Sequence, residues 1–249
     1  MGTPHTPDTI ANPPDERRLI APIWHTVVFV VAMLAFCALQ FTGHTLHGSL
    51  VVHRRLLAVY GITILFELLL VAYIWFLGLR PTHTRLRDLI GGKWARPIDV
   101  LRDMGVAVVF SIVVAASMIA LGIALGPNRV AHERMKALAP QSGAEFICWV
   151  ALSITAGFCE ELIFRGYLQK QLSAISGSLW LAVVSQALVF GSIHMSQGWK
   201  GAVAISVYGA LFGILAIVRK SLRPGMIQHA GYDALLGVGL GLLLKYRFV

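Results

Sequence analysis

The chain has 249 residues, of which 57% are hydrophobic and only 13% are charged. This balance lies outside the range of soluble globular proteins. Apolar runs of about 18 residues or more recur along the chain and predict an all-α, polytopic membrane protein. The net charge of +9 comes from basic residues that cluster in short segments between the apolar runs. Such clusters are typical of topology signals and lipid-headgroup contacts, so the composition predicts the lipid bilayer as a partner and argues against nucleic-acid binding.

The chain begins with a segment that differs in composition from the rest. Residues 1–22 contain five prolines and several charged residues, which predicts a disordered polar tail. This tail lacks the basic, apolar and cleavage-site layout of a signal peptide, so we expect the first apolar helix to remain in the membrane. Residues 23–142 are then expected to form N-terminal transmembrane helices and loops, and residues 143–249 a second group of transmembrane helices.

The apolar runs predict a bundle of about seven transmembrane helices, or eight if residues 82–98 or 128–142 hold a further short helix. The predicted spans are 23–41, 56–79, 104–125, 143–173, 179–195, 201–218 and 226–244. With alternating sides, the side that holds the N-terminus carries 13 Lys and Arg residues against 8 on the other. The positive-inside rule therefore predicts a cytoplasmic N-terminus, and we expect an integral protein of a prokaryotic cytoplasmic membrane.

Within the fourth predicted span, Glu160, Glu161 and Arg165 are ionisable residues in an apolar stretch. A charge at the centre of a bilayer costs roughly 3 kcal/mol on insertion scales, so these residues require an explanation. Glu161 and Arg165 are four residues apart and can pair on one helix face. Glu160 points about 100° away and has no local partner. The spacing thus predicts one structural carboxylate and one that is available for chemistry.

Two further groups of polar residues lie in apolar surroundings. His194 follows Phe190 by four residues at the end of the fifth predicted helix, and His229 precedes Asp233 by four near the start of the seventh. Each pair is expected to share a helix face. A lone membrane histidine is usually a hydrogen-bonding residue between helices. Several costly ionisable groups in neighbouring apolar helices nevertheless favour a functional site.

Helix lengths predict which of these groups meet. Glu160 lies 16 residues before Ser176, and His194 lies 17 residues after Gly177. In an antiparallel hairpin they are therefore at nearly the same height, about 25 Å from the turn. His229, however, starts on the opposite side if the sixth helix crosses the whole membrane. Convergence then requires the hairpin to project from the bilayer, or residues 219–228 to re-enter it.

Glu67 and Cys159 are chemically suited to a function, but we expect a structural role for each. Glu67, in the second predicted span, is expected to pack inward. Cys159 adjoins Glu160, but a buried cysteine is more often a small core residue than a nucleophile. The three cysteines show no CxxC spacing, so a disulfide framework or a zinc knuckle is not expected.

The ordered series Glu160-Glu161-x-x-x-Arg165, Phe190-x-x-x-His194 and His229-x-x-x-Asp233 resembles the CPBP intramembrane proteases. That family includes the CAAX prenyl endopeptidases and the bacteriocin-processing and immunity-type proteins. The resemblance covers about residues 143–240, and residues 1–142 resemble nothing specific. It implies a multi-helix intramembrane endopeptidase that activates water with a glutamate, with residues 143–249 as its catalytic core. The last position is more usually Asn in the family, with Asp as a variant.

Peptide hydrolysis needs a base for water, an acid for the leaving amine and stabilisation of an oxyanion. On the resemblance, Glu160 would take the proton from water and His194 would orient that water. His229 and Asp233 would face the tetrahedral intermediate, although an ionised Asp233 would repel an oxyanion unless it were protonated, paired with His229 or bound to a metal. The supporting residues would be Glu161, Arg165 and Phe190.

Metal dependence stays open at the level of the sequence, and the family is described both as metalloproteases and as metal-free glutamate proteases. Glu160, His194, His229 and Asp233 are all of the types that bind zinc. They come from three helices, however, without the His-x-x-x-His spacing that pre-forms many zinc sites, so we expect a metal-free mechanism without a cofactor.

Two other classes of function are compatible with these residues. One is a non-enzymatic membrane protein that confers immunity or acts as a scaffold. The other is a proton-coupled transporter, in which intramembrane Glu and His are equally natural. Transporters usually show inverted repeats, and the sequence has no such symmetry. We therefore expect a protease whose substrate is a membrane protein or peptide, while the oligomeric state is not predicted.

Overall fold

The computed structural model of the protein describes residues 18–43 and 56–246. Most of the predicted polar tail thus lies outside the described residues. Within them the secondary structure is helical apart from one isolated bridge between Gly91 and Ser221, which confirms the all-α class. The α-helices are α1 (Ile23–Gly43), α2 (Leu56–Tyr73), α3 (Leu86–Ile90), α4 (Pro97–Leu125), α5 (Arg129–Leu138), α6 (Gly143–Glu160), α7 (Gln169–Ser176), α8 (Leu179–Ser192), α9 (Gly198–Arg219) and α10 (Arg223–Lys245).

Helix length and hydropathy show an integral membrane protein. Five helical segments among the described residues are long and apolar enough to cross a bilayer. They are Leu56–Thr82, Pro97–Leu125, Gly143–Ser176, Met195–Arg219 and Arg223–Lys245. Two shorter apolar helices, Ile23–Ala38 and Leu179–Ser192, occupy the places of the other two predicted spans. The two segments considered for an extra helix hold only the short helices α3 and α5, so neither adds a span.

Capping residues explain where two of the helices begin. Ser142 caps α6 by accepting from the backbone N–H of Glu145, and Glu145 accepts in return from the Ser142 backbone. This start agrees with the predicted one at residue 143. Helix α4 instead starts at Pro97, seven residues before the apolar run, because Pro suits the first helical position and Asp99 accepts from the backbone N–H of Arg96. Hydropathy located the apolar part of α4 but not its polar first turns.

The segment Gly143–Ser176 is the central helix of the bundle. Between α6 and α7 its backbone is a π-helix over Glu161–Leu168, and all eight of these residues are buried. A π-helical stretch widens the helix and changes the side-chain register, and such stretches are frequent at functional sites. The central helix ends at Gly177, whose φ of +69° allows the reversal into α8, as the predicted turn requires.

Two antiparallel helix pairs, α6 with α10 and α8 with α9, hold the site together. Helix α10 packs against α6 through small residues: a Cβ at Gly157 would lie 2.7 Å from the backbone nitrogen of Ala230, and one at Gly237 would overlap the Trp149 indole. Helix α9 packs against α8 in the same manner, with Gly209 over Phe190 and Ala187. Close approach at small residues is the usual packing of membrane helices.

The turn between α9 and α10 explains how His229 reaches the site. Leu222 contacts the π-helix, since a Cβ at Gly166 would lie 3.0 Å from Leu222 Cδ1, and the backbone N–H of Leu222 donates to Ile90 O. Gly166 precedes Ser176 by ten residues, or about 15 Å of helix. The hairpin of α7 and α8 therefore extends beyond the turn between α9 and α10.

Candidate active site

Glu161 and Arg165 form a buried ion pair, as their spacing predicts. Arg165 Nη1 lies 2.9 Å from Glu161 Oε1, and both residues are only 1% exposed. The guanidinium also lies over the rings of Phe190, at 4.4 Å, and Phe212, at 5.2 Å. Its two aromatic neighbours fix its plane. The carboxylate of Glu161 is thus held in one place at the start of the π-helix.

His229 lies among three carboxylates. Its Nδ1 is 3.2 Å from Glu161 Oε1, and its Nε2 is 3.7 Å from Glu160 Oε2 and 3.6 Å from Asp233 Oδ2. The Glu161 carboxylate that pairs with Arg165 accepts hydrogen bonds, so Nδ1 of His229 donates to Glu161 and Nε2 faces the other two carboxylates. The sequence predicted that His229 and Asp233 share a helix face, but it did not predict the contact of His229 with either glutamate.

Asp233 is positioned by its backbone rather than by a side-chain network. Its carbonyl oxygen accepts from Trp149 Nε1 at 2.9 Å, and Trp149 belongs to α6. This bond fixes the register of α10 against α6 where Gly237 admits the indole. One turn before His229, Gly225 leaves room for Glu161, since a Cβ there would lie 3.3 Å from Oε2. Small residues of α10 therefore let the carboxylates and the imidazole approach.

A cavity of about 360 Å³ connects Glu160 to the N-terminal helices. Glu160 and His194 both line it, as expected from their equal distance to the α7–α8 turn. His229 and Asp233 do not line it, so Glu160 lies between the cavity and the histidine–carboxylate cluster. Side chains of α1 and α2 form the opposite wall, which includes Glu67.

The orientation of His194 follows from its own helix. Its Nδ1 lies 2.8 Å from the carbonyl oxygen of Phe190, and the two rings are in edge contact at 4.9 Å. A carbonyl only accepts, so Nδ1 donates and Nε2 is left as an acceptor. Phe190 therefore contacts both His194 and Arg165.

Glu67 is the residue whose place at the site the sequence did not predict. It is 6% exposed, its Oε2 has no hydrogen-bond partner among residues 18–43 and 56–246, and it lines the cavity with Glu160 and His194. The inward orientation was expected, but the proximity to Glu160 depends on how α2 packs on α6. Cys159, in contrast, is fully buried and does not line the cavity, in agreement with the structural interpretation.

A zinc site is not pre-formed by these side chains. Among residues 18–43 and 56–246, no group of three or more His, Cys, Asp or Glu side chains is arranged to hold a metal ion. His194 faces the cavity, whereas His229 and Asp233 lie outside it. The residues as placed do not fit zinc coordination, and no step of the reaction below is derived through a metal.

Comparison with known proteins identifies the segment that carries this site. Residues 142–235 match the family model described as type II CAAX prenyl endopeptidase Rce1-like. This segment is Rce1-like. The match confirms the predicted resemblance and implies a CAAX-type intramembrane protease that acts on membrane-associated substrates. No curated protein and no solved structure gives a significant match.

The Rce1-like segment contains all seven residues selected from the sequence and ends two residues after the last of them. Glu67 and the cavity wall formed by α1 and α2 lie outside it. The N-terminal helices therefore contribute to a site whose other groups come from the Rce1-like segment.

Proposed function

We propose that the protein is an intramembrane endopeptidase in which Glu160 activates water for peptide-bond hydrolysis. One observation carries the proposal: the Glu160 carboxylate lies between a cavity that it shares with His194 and a cluster in which His229 contacts Glu161. A base must face both the substrate and the groups that set its proton affinity, and Glu160 is in that position. Glu161 is held by Arg165 and is not available as the base.

In the proposed reaction, a water in the cavity donates one hydrogen bond to Glu160 and one to the free Nε2 of His194. Glu160 takes a proton from the water while the oxygen of the water bonds to the scissile carbonyl carbon. The same proton passes to the amide nitrogen as the C–N bond breaks. The products are one carboxyl and one amine, and Glu160 returns to its starting state.

His229 and Asp233 are proposed to act on the tetrahedral intermediate. Nε2 of His229 lies within 4 Å of both Glu160 and Asp233, so the imidazole can hold or pass a proton next to the base. Nδ1 of His229 is fixed by Glu161, which keeps the ring oriented. Second partners of this kind commonly determine the orientation of a catalytic histidine.

The cavity favours a membrane-associated peptide as the substrate. Most of its wall is apolar, and its ionisable groups among the described residues are Glu67, Glu160 and His194. Phe36 of α1 and Phe66 of α2 stack at the cavity wall and are each about 40% exposed, so this side of the cavity faces the exterior of the bundle. A substrate that enters from the bilayer between α1 and α2 would meet Glu160 directly.

The experiment is cleavage of peptides in proteoliposomes. The purified full chain is incubated with membrane-anchored peptides, both prenylated and unprenylated, that end in a CAAX sequence, and the products are identified by mass spectrometry. We expect cleavage by the native chain and at least a 100-fold lower rate for Glu160→Gln, since general-base catalysis contributes about that much. Glu133→Gln, on the exposed face of α5, is the matched control. Transport or scaffolding without any cleavage product would contradict the proposal.

A further inference from the structure

A second cavity, of about 420 Å³, lies near the α7–α8 turn. Its walls come from four parts of the chain: the segment before α1, helix α3, helix α7 with the end of the π-helix, and the turn between α9 and α10. These are the segments that the distribution of Lys and Arg assigned to one side of the membrane. The cavity is thus at the membrane surface of the bundle, on the side with the most basic residues.

The polar wall of this cavity is strongly cationic. Arg18, Lys170 and Lys220 line it, as does Arg165, which is paired with Glu161. Among the described residues, Asp88 contributes a carboxylate to the lining; its Oδ2 accepts from the Arg85 backbone and its side chain is 58% exposed. The described lining therefore holds more cationic than anionic side chains.

Lys170 is held at the cavity by backbone carbonyls. Nζ of Lys170 donates to Asp88 O at 2.9 Å and to Leu89 O at 3.0 Å. An ammonium has three N–H donors, so one remains for a ligand, and neutral carbonyls leave its charge in place. Lys220 ends α9 with a φ of +49°, an uncommon conformation for a residue other than glycine.

Gln169 also lines the cavity, but its amide is turned towards α9. Its Nε2 donates to Gly213 O at 3.1 Å, and a Cβ at Gly213 would lie 2.6 Å from its Oε1. Gln169 therefore packs against α9 and is not counted among the ligand-binding groups.

The remaining wall is apolar. Ile20, Leu179, Ala216 and Leu222 contribute to it, beside the cationic groups. A ligand that fits both walls has an anionic head and a hydrocarbon chain. Basic pockets between transmembrane helices at the cytoplasmic surface are known to suit phosphate headgroups.

We propose that this cavity binds the phosphate ester of an anionic glycerophospholipid. The phosphate oxygens would accept from Arg18, Lys170 and Lys220, and an acyl chain would cover the apolar wall. This binding does not depend on the proposed proteolysis, because the lipid site and Glu160 lie in different cavities.

The test measures lipid binding to the purified full chain. Phosphatidylglycerol and phosphatidylcholine with the same acyl chains are titrated separately, and bound lipid is counted by native mass spectrometry. The double variant Arg18→Gln with Lys220→Gln should bind phosphatidylglycerol about 30-fold more weakly, at roughly fivefold for each charge. The control is Lys200→Gln with Lys245→Gln, which removes two charges away from the cavity and should leave binding unchanged.

Two results would overturn the proposal. One is an equal loss of phosphatidylglycerol binding in the two double variants, and the other is equal binding of the two lipids to the native chain. Inorganic phosphate is added as a competitor in a second arm. Displacement of phosphatidylglycerol at millimolar phosphate shows that the phosphate group alone is recognised, whereas charge-dependent lipid binding without displacement shows that the acyl chain is required; both support the site.

Discussion

Replacement of Glu161 by Gln tests the division of labour between the two adjacent glutamates. The carboxylate lies 2.9 Å from Arg165 Nη1 and 3.2 Å from His229 Nδ1, and Glu161 and Arg165 are almost fully buried. The substitution removes one charge of a buried pair and leaves the guanidinium uncompensated. Such changes cost about 3–5 kcal/mol. We expect the free energy of unfolding to fall by about 3 kcal/mol, which is roughly a 100-fold change in the unfolding equilibrium constant.

For a chain of this size, a loss of about 3 kcal/mol corresponds to a fall in Tm of about 6–12 °C. Thermal unfolding of the purified protein in detergent micelles measures it. Glu160→Gln is the matched control: the Glu160 side chain is 17% exposed, and its contact with His229 is 3.7 Å, so its removal should cost less than about 1 kcal/mol. The double variant Glu161→Gln with Arg165→Gln removes both charges and should be more stable than the sum of the single losses by at least about 1 kcal/mol.

Equal changes in Tm for Glu160→Gln and Glu161→Gln would refute this reasoning, because a free base and a structural anion should differ in their contribution to stability. An additive double variant would also refute it. Additivity would mean that Glu161 and Arg165 do not stabilise each other, whatever their distance.

Three further predictions concern packing, the thiol and the metal. Gly237→Ala should lower the free energy of unfolding by about 1–3 kcal/mol, because the new methyl group would overlap the Trp149 indole. The control is Gly239→Ala, which should be neutral or stabilising because a Cβ at Gly239 would have nothing within 4 Å. Thermal unfolding compares the two variants. Cys159→Ala should retain most of the cleavage rate, since this residue is fully buried; an inactive variant would restore the thiol as the nucleophile. Asp233→Asn should preserve or raise the cleavage rate, because an amide N–H can donate to an oxyanion, and the native protein should survive chelators. Stoichiometric zinc together with an inactive Asp233→Asn variant would establish a metal mechanism instead.

Local patterns were sufficient to predict much of this fold. Apolar runs placed the seven main apolar helices, and the Ser176–Ser178 turn and the start of α6 agree with the structure because capping and turn residues act within a few positions of sequence. The four-residue spacing of Glu161 and Arg165 predicted their ion pair for the same reason. The start of α4 was placed too late, since a polar first turn adds nothing to an apolar run.

Features that depend on contacts between distant segments were not predictable from these patterns. The sequence of the π-helix over Glu161–Leu168 carries no spacing signal that distinguishes it from an α-helix. Glu67 reaches the cavity of Glu160 only because α2 packs beside α6. The contact of His229 with both glutamates likewise requires the start of α10 to lie at the level of Gly166. The cytoplasmic location of the N-terminus stays a prediction of the charge distribution.

The measurement that tests the central claim most directly is the cleavage rate per folded molecule of Glu160→Gln and Glu161→Gln in the same proteoliposomes. The folded fraction of each variant is determined first, so that stability and catalysis are separated. The account predicts that folded Glu160→Gln has lost at least about 100-fold in rate. Folded Glu161→Gln, which keeps the base, should retain measurable cleavage. A folded Glu160→Gln variant that cleaves at the native rate, or one that cleaves faster than folded Glu161→Gln, would contradict the assignment of Glu160 as the base.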